Sequence, residues 1–323
     1  MKCAYLAFTT KGLALAQRLA EVCPGTVARC GADGVSLSAW TARQFADADA
    51  LVFIGAVGIA VRAVAPHCRS KAVDPAVVVL DEQGQFAISL LSGHLGGAND
   101  LTRRLAAACR AVPVITTATD VRGIFAVDEW AVRQNCAVAE PERIKCISSA
   151  LLAGKPVRYF SDWRIAGEPP TGVQPAVCAA QADFALTLTP VGDALHIVPR
   201  VVVLGVGCKR GTTAHQLQKA LAAFCAASGL APQSIAAAAS IDLKKEEPGL
   251  LEFAKTHGWT LEFYTSEALC AVPGRFTASH FVKEITGVDN VCERAAVKAA
   301  GGQLFVPKWA DNGVTLAAAL RPF

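Results

Sequence analysis

Ser92-Gly93-His94-Leu95-Gly96-Gly97-Ala98-Asn99 puts a hydroxyl, an imidazole, a carboxamide and three glycines between an apolar run and a helical pattern. A plain turn needs far fewer special residues. Ser92 can cap the helix that follows, its hydroxyl accepting an early backbone N–H. Gly93, Gly96 and Gly97 then leave that helix start bare, so an anionic ligand can reach its donors. A glycine-rich strand-to-helix turn with a structural histidine accounts for the same residues.

A second candidate is Gly205-Val206-Gly207-Cys208-Lys209-Arg210-Gly211-Thr212-Thr213. It is no dinucleotide fingerprint: the third glycine is one position late, and Phe224 to Ile235 holds no acidic residue to bind a ribose. Nor is it a Walker loop, because Lys209 precedes the last glycine. A glycine loop with Lys209 and Arg210 before a Thr-capped helix suits carboxylates or phosphates; a tight turn is the alternative. Asp120, Asp128 and Glu129 follow Thr116-Thr117-Ala118-Thr119 and can either position a water or substrate oxygen or cap helices. Ser279-His280 and Cys292-Glu293 read as structural unless the fold brings them to a cleft. A serine hydrolase is disfavoured, since Gly-x-Ser-x-Gly is missing around Ser92.

Strands and helices must position these residues. Cys3–Phe8, residues 50–54, Val77–Leu80, Phe86–Leu90 and Val112–Ile115 read as strands. Helices are expected over Gly12–Val22 and His94–Cys109, the latter with Leu101, Leu105 and Ala108 inward and Arg103 and Arg104 facing away. Strand–helix alternation predicts a largely parallel sheet covered on both faces, with both early glycine turns at the C-terminal strand ends where ligands bind. Residues 136–199 read as a small linker region, with Ala185–Leu188 and Ala194–Val198 as a hairpin. Arg200–Leu204 opens a second unit of strand, glycine loop and helix. The fold class is therefore α/β: two α/β domains with mostly parallel sheets (1–135 and 200–323) joined by a small central α+β linker region.

Composition excludes several functions. Hydrophobic residues make up 53% of the 323 and charged residues 18%, so a large core is available and disorder is not expected. The net charge of +4 comes without a Lys/Arg stripe, which argues against nucleic acid. No two of the twelve cysteines form Cys-x-x-Cys, and no metal-type His/Cys cluster is present; a reducing, cytoplasmic setting is expected. No apolar run reaches the roughly 18–20 residues of a membrane span, and Thr9, Thr10 and Lys11 interrupt the first one, so no signal peptide is expected.

Two blocks of sequence resemble the cobalt-precorrin-5A hydrolase family (CbiG) of anaerobic cobalamin biosynthesis. The first is Gly55-Ala56-Val57-Gly58-Ile59-Ala60-Val61-Arg62, with Lys71-Ala72-Val73-Asp74-Pro75 and Leu91 to Asn99. The second is Gly205 to Thr212, with Ser240-Ile241-Asp242-Leu243-Lys244 and Val291-Cys292-Glu293-Arg294. The resemblance implies a carboxylate-rich tetrapyrrole substrate that carries its own cobalt, so neither a protein metal site nor a cofactor is expected. It implies opening of the ring-A lactone by water and release of acetaldehyde, which needs a base and donors for an oxyanion. On chemical grounds His94 is the leading base, Asp120 the second choice, and Asn99 with the backbone near Gly96 stabilises charge. Gly55, Gly58, Arg62, Lys71, Ser92, Gly93, Gly96 and Gly97 form one expected substrate wall; Gly205, Gly207, Lys209, Arg210, Gly211 and Thr212 form the other. Neighbouring pathway enzymes are candidate partners. A non-catalytic tetrapyrrole carrier is the alternative.

Overall fold

Cys3–Ala7 (β1), Ala50–Ile54 (β3) and Ala76–Leu80 (β4) are buried along their whole length. Strands buried on both faces belong in the middle of a helix-covered, parallel sheet. In the computed structural model, which describes residues 1–32, 34–71, 73–165 and 167–322, they do so. With Gly25–Arg29 (β2), Phe86–Leu91 (β5) and Val112–Val114 (β6) they form a six-stranded sheet in the order β2-β1-β3-β4-β5-β6. Leu15, Ala16 and Leu19 of the helix Thr10–Val22 and Leu101 and Leu105 of the helix Ala98–Cys109 fill one face. The helices Leu37–Asp47 and Val57–Val64 cover the other, where Trp40 meets Phe53 edge-on.

All pairings in this sheet are parallel except β4–β5. That one reversal corrects an expectation. Leu91 pairs with Val77, so the Ser92–Gly97 segment leaves β5 at the N-terminal end of β4. Gly55 follows Ile54, which pairs with Leu80 at the other end. The two glycine turns therefore lie at opposite ends of the sheet. The cause is a tight connection in which Asp81 accepts the N–H groups of Gln83, Gln85 and Phe86, and Gly84 adopts φ +71°. Such a loop returns the chain antiparallel and leaves no room for a crossover helix.

The chain divides into two compact units. The first is Met1–Arg133 with Pro141–Pro156 and Pro169–Gly172; the second is Gln134–Glu140, Val157–Glu168 and Val173–Phe323. The expected linker is thus shared: its helix Ile144–Leu152 belongs to the first unit, and its strands build a sheet in the second. Those strands are Cys136–Val138 (β7), Val157–Ser161 (β8), Val173–Pro175 (β9), Phe184–Leu186 (β10) and Leu195–Pro199 (β11), ordered β7-β11-β10-β8-β9. β10 and β11 pair parallel, not as the expected hairpin. Apolar runs identify strands, but residues 187–194 set the direction by carrying the chain back to the edge where β10 began.

The other sheet of the second unit joins Val202–Cys208 (β12), Ile235–Ile241 (β13), Thr260–Tyr264 (β14), Gln303–Asp311 (β15) and Val314–Leu320 (β16) in the order β14-β13-β12-β16-β15. β12 runs on through Gly205 and Gly207, so these two are strand residues and the loop begins at Lys209. Gly205 is required by packing: a Cβ there would overlap the Cys292 carbonyl of the helix Cys292–Ala300. Gly205→Val is expected to cost about 3 kcal/mol, because a backbone carbonyl cannot rotate away. A urea midpoint equal to wild type would refute this. No helix among the described residues is long and apolar enough to cross a membrane.

Candidate functional site

After β5 the chain turns sharply. Ser92 takes a left-handed backbone (φ +57°), and Gly97 (φ +81°) is the residue before the helix Ala98–Cys109. This helix begins four residues later than expected and has no side-chain cap. The N–H groups of Ala98 and Asn99 donate to the carbonyls of Ser92 and Gly93 at 3.1 and 2.9 Å, and Gly97 donates to His94 at 2.9 Å. Ser92 is therefore not the cap, and these backbone donors are not open to a ligand. The Ser92 hydroxyl is buried without a hydrogen-bond partner among the described residues. Gly93 and Gly96 let the segment close on itself: a Cβ on Gly93 would lie 2.8 Å from Asn99 Oδ1, and one on Gly96 would overlap the Ser92 side chain.

This fold projects His94 from a loop into a cluster of charges. Its Nε2 lies 2.8 Å from Asp120 Oδ2, and its Nδ1 lies 3.1 Å from Asp128 Oδ1. Asn99 Nδ2 donates to the same Asp120 oxygen and to Thr117 Oγ1, both at 3.0 Å, while Ser89 Oγ donates to Asn99 Oδ1 at 2.7 Å. The second Asp120 oxygen accepts from Arg103, whose guanidinium also reaches Glu129 at 3.0 Å. Arg133 holds Glu129 from the other side at 2.7 Å. Asp120 comes from the short helix Ala118–Val121, and Asp128, Glu129 and Arg133 from Val127–Arg133.

The structure thus brings together His94, Asn99 and Asp120 and adds Arg103, Asp128 and Glu129. Arg103 points away from the core as expected, but into this cluster. The available signal was spacing: Asn99 and Arg103 are four apart on one helix and share a face. Asp128 and Glu129 were visible only as alternatives to helix capping.

Burial opposes a charge on His94, but the hydrogen bonds to Asp128 and Asp120 outweigh it and raise its pKa from 6.5 to about 9. The ring is an imidazolium at neutral pH. Burial pushes the Asp120 carboxyl up, but its bonds to His94, Thr117 and Arg103 hold it below the usual carboxylate range. The pair is a proton donor and a proton acceptor already in contact. His94, Asp120 and Glu129 also place donor atoms within 4.8 Å of one another, a spacing that suits a metal ion. A cation there would have to displace Arg103, which already neutralises both carboxylates.

Other expected residues lie elsewhere. Gly55 donates its N–H to Leu80 at 2.8 Å, and a Cβ on it would come within 2.7 Å of the Phe8 ring. Gly58 accepts from Arg62 at 3.1 Å within their own helix, so this guanidinium folds back on its backbone. Lys71 is exposed beside β4, and its neighbour Ala72 lies outside the described residues.

In the second unit a pocket of about 900 Å³ lies beyond the ends of β12 and β13, and Gly207, Lys209 and Arg210 line it. Gly205 is buried behind it. Gly211 donates its N–H to Glu247 at 2.7 Å, and Thr212 Oγ1 donates to the Lys209 carbonyl at 2.8 Å. The helix Ala214–Ser228 is Thr-capped as expected, Thr213 forming a capping box with Gln216. Ser279 and Cys292, set aside as structural unless a cleft claimed them, line this pocket. The Cys292 thiol is pushed up to about 11 by burial and is no nucleophile at neutral pH.

The chain matches three family models: "Cobalamin synthesis G N-terminal" over residues 39–120, "Cobalamin biosynthesis central region" over 125–186 and "Cobalamin synthesis G C-terminus" over 202–319. It is 38% identical to the cobalt-precorrin-5A hydrolase of Salmonella typhimurium, across 97% of this chain and 96% of that protein. The chain belongs to the cobalt-precorrin-5A hydrolase family. The Priestia megaterium cobalt-precorrin-5A hydrolase is 32% identical across 84% of this chain and 79% of its own. "Protein CobE" of Sinorhizobium sp is 34% identical across 36% of this chain and 79% of its own. The charged cluster straddles two of the family segments. His94, Asn99, Arg103 and Asp120 lie in the N-terminal one, and Asp128 and Glu129 in the central one.

Proposed function

We propose that this protein is a cobalt-precorrin-5A hydrolase: water opens the ring-A lactone, and the former meso carbon leaves with its methyl group as acetaldehyde. The observation that carries the reading is His94 held through both ring nitrogens between Asp120 and Asp128 inside a family of hydrolases. The cobalt arrives in the substrate, and the protein supplies proton transfer and positioning without a cofactor.

The chemistry needs a base for the attacking water and a second group that first gives a proton and then takes one back. Asp120 takes a proton from water as it attacks the lactone carbonyl, and Arg103 and Asn99 hold the carboxylate while it does so. As the tetrahedral intermediate collapses, the acyl–oxygen bond breaks. His94 then gives its Nε2 proton to the departing oxygen, leaving a carboxylic acid and a hydroxyl; the acid's proton and the one held by Asp120 pass to solvent, which restores the Asp120 carboxylate. The neutral imidazole takes the hydroxyl proton back as the carbon–carbon bond breaks. The oxygen lone pair becomes the carbonyl of acetaldehyde, and the carbon–carbon electron pair stays in the macrocycle. Asp128 keeps Nδ1 occupied throughout, so the ring presents Nε2. His94 is thus the acid of the first stage and the base of the second.

Anaerobic incubation with cobalt-precorrin-5A is expected to release one acetaldehyde per substrate. Since His94 must start protonated, the rate should hold across neutral pH and fall as pH rises through about 9. A rate that climbs through that range would exclude His94 as the acid. Binding without acetaldehyde would make the protein a tetrapyrrole carrier.

A further inference from the structure

The pocket of the second unit has a composition that the acid–base cluster does not explain. Leu243, Phe281 and Ile285 at its mouth are 63%, 66% and 62% exposed, a large amount of bare apolar surface around one concavity. The helix His280–Thr286 that carries Phe281 and Ile285 has no buried residue. Exposed apolar surface grouped around a pocket of this size marks a ligand site. Lys209, Arg210 and Lys308 also line it and form no ion pair among the described residues, whereas Lys244 is matched by Glu247. The aliphatic stem of Lys209 packs over Gly313, so its charge is carried at the end of a supported arm.

The walls are held from behind by Glu293, which is fully buried. Its Oε1 accepts from the Lys308 N–H at 2.7 Å and Thr277 Oγ1 at 2.9 Å. Its Oε2 accepts from the Thr277 N–H and Asn290 Nδ2, both at 2.7 Å. One carboxylate thus ties the strand bearing Lys308 to the segment leading into Ser279 and Phe281. The pocket is built rather than incidental.

We infer that this pocket holds the macrocycle of a carboxylate-bearing tetrapyrrole, with its apolar face against Leu243, Phe281 and Ile285 and its peripheral carboxylates on Lys209, Arg210 and Lys308. The ligand class rests on the proposed function, and the pocket assignment does not depend on the chemistry at His94. Charge complementarity selects this occupant: with Glu247 matched to Lys244, Lys209, Arg210 and Lys308 outnumber the one remaining lining acid, Asp311, so an uncharged flat molecule leaves a cationic excess unmatched, and a small anion leaves the apolar mouth bare.

The test uses the whole protein and a metal-free porphyrin octacarboxylate, with binding read by fluorescence quenching. Phe281→Ser with Ile285→Ser should weaken binding about tenfold, and these exposed positions leave the core untouched. Lys209→Ala with Lys308→Ala should also weaken it about tenfold and flatten its dependence on salt. The fully esterified porphyrin should bind wild type no better than the lysine variant binds the acid. Wild-type affinity in both double variants overturns the pocket, whatever the acetaldehyde assay gives. A protein that binds through this pocket yet releases no acetaldehyde keeps the pocket and overturns the reaction instead.

Discussion

Replacing His94 with alanine is expected to lower acetaldehyde release by about 10²- to 10⁴-fold, the usual contribution of a positioned acid–base group. The loss should fall on kcat, since the ring is proposed to act on the reacting atoms. Glutamine can restore a hydrogen bond to Asp120 but cannot carry the proton, so His94→Gln should be nearly as slow. Asp128→Asn should lose less, because it weakens the hold on Nδ1 and leaves Nε2 against Asp120. Full turnover in His94→Ala, measured with the coupled acetaldehyde assay, would remove His94 from the mechanism.

The same substitution has a consequence for folding. Folding raises the His94 pKa from 6.5 toward about 9, so its pairing stabilises the protein fully below about pH 6.5. That contribution is lost as pH rises through about 9. The stability difference between wild type and His94→Ala should therefore shrink from neutral to alkaline pH. Near pH 7 the variant leaves Asp120 and Asp128 buried without their shared cation, and circular dichroism must show a folded protein before its rate is interpreted.

Glu293→Ala is expected to destabilise the second unit by about 3 kcal/mol or more. It orphans donors from Thr277, Asn290 and Lys308 at once, and each unsatisfied buried donor costs about 1–3 kcal/mol. Glutamine should rescue little, because all four partners donate and an amide nitrogen would face donors instead of accepting from them. A urea midpoint for Glu293→Gln equal to wild type would mean that the carboxylate is not the tie. Porphyrin affinity should fall with either substitution even where the protein remains folded, because Lys308 and the segment before Phe281 lose their common anchor.

Gly205 shows how far local pattern reaches. The run before it, Arg200–Leu204, reads as a strand, but the glycines that follow suggest a ligand loop, whereas the strand continues to Cys208. The real requirement at Gly205 is a helix passing close behind, formed by residues nearly ninety positions later, and at Gly207 the Thr315 side chain of β16; no local spacing reveals such approaches. The β4–β5 reversal is a different case. Asp81-Glu82-Gln83-Gly84 carries a hairpin signal in plain view, with an acid able to accept several turn N–H groups and a glycine for positive φ. The alternation of strands and helices elsewhere had favoured a parallel reading.

The sequence by itself determined the α/β class, the existence of most of the strands, and the choice of His94, Asn99 and Asp120 as candidates. Burial on both faces demands unbroken apolar runs, and special residue types crowd where chemistry is done. Only the tertiary structure decided which end of the sheet holds the Ser92–Asn99 segment, that Arg103, Asp128 and Glu129 join it, and that Phe281 and Lys308 share a pocket with Lys209. It also decided the charge of His94. A histidine's protonation depends on which carboxylates stand within about 3 Å of its two nitrogens. Here they come from 26 and 34 residues further along the chain, a distance that periodicity does not span.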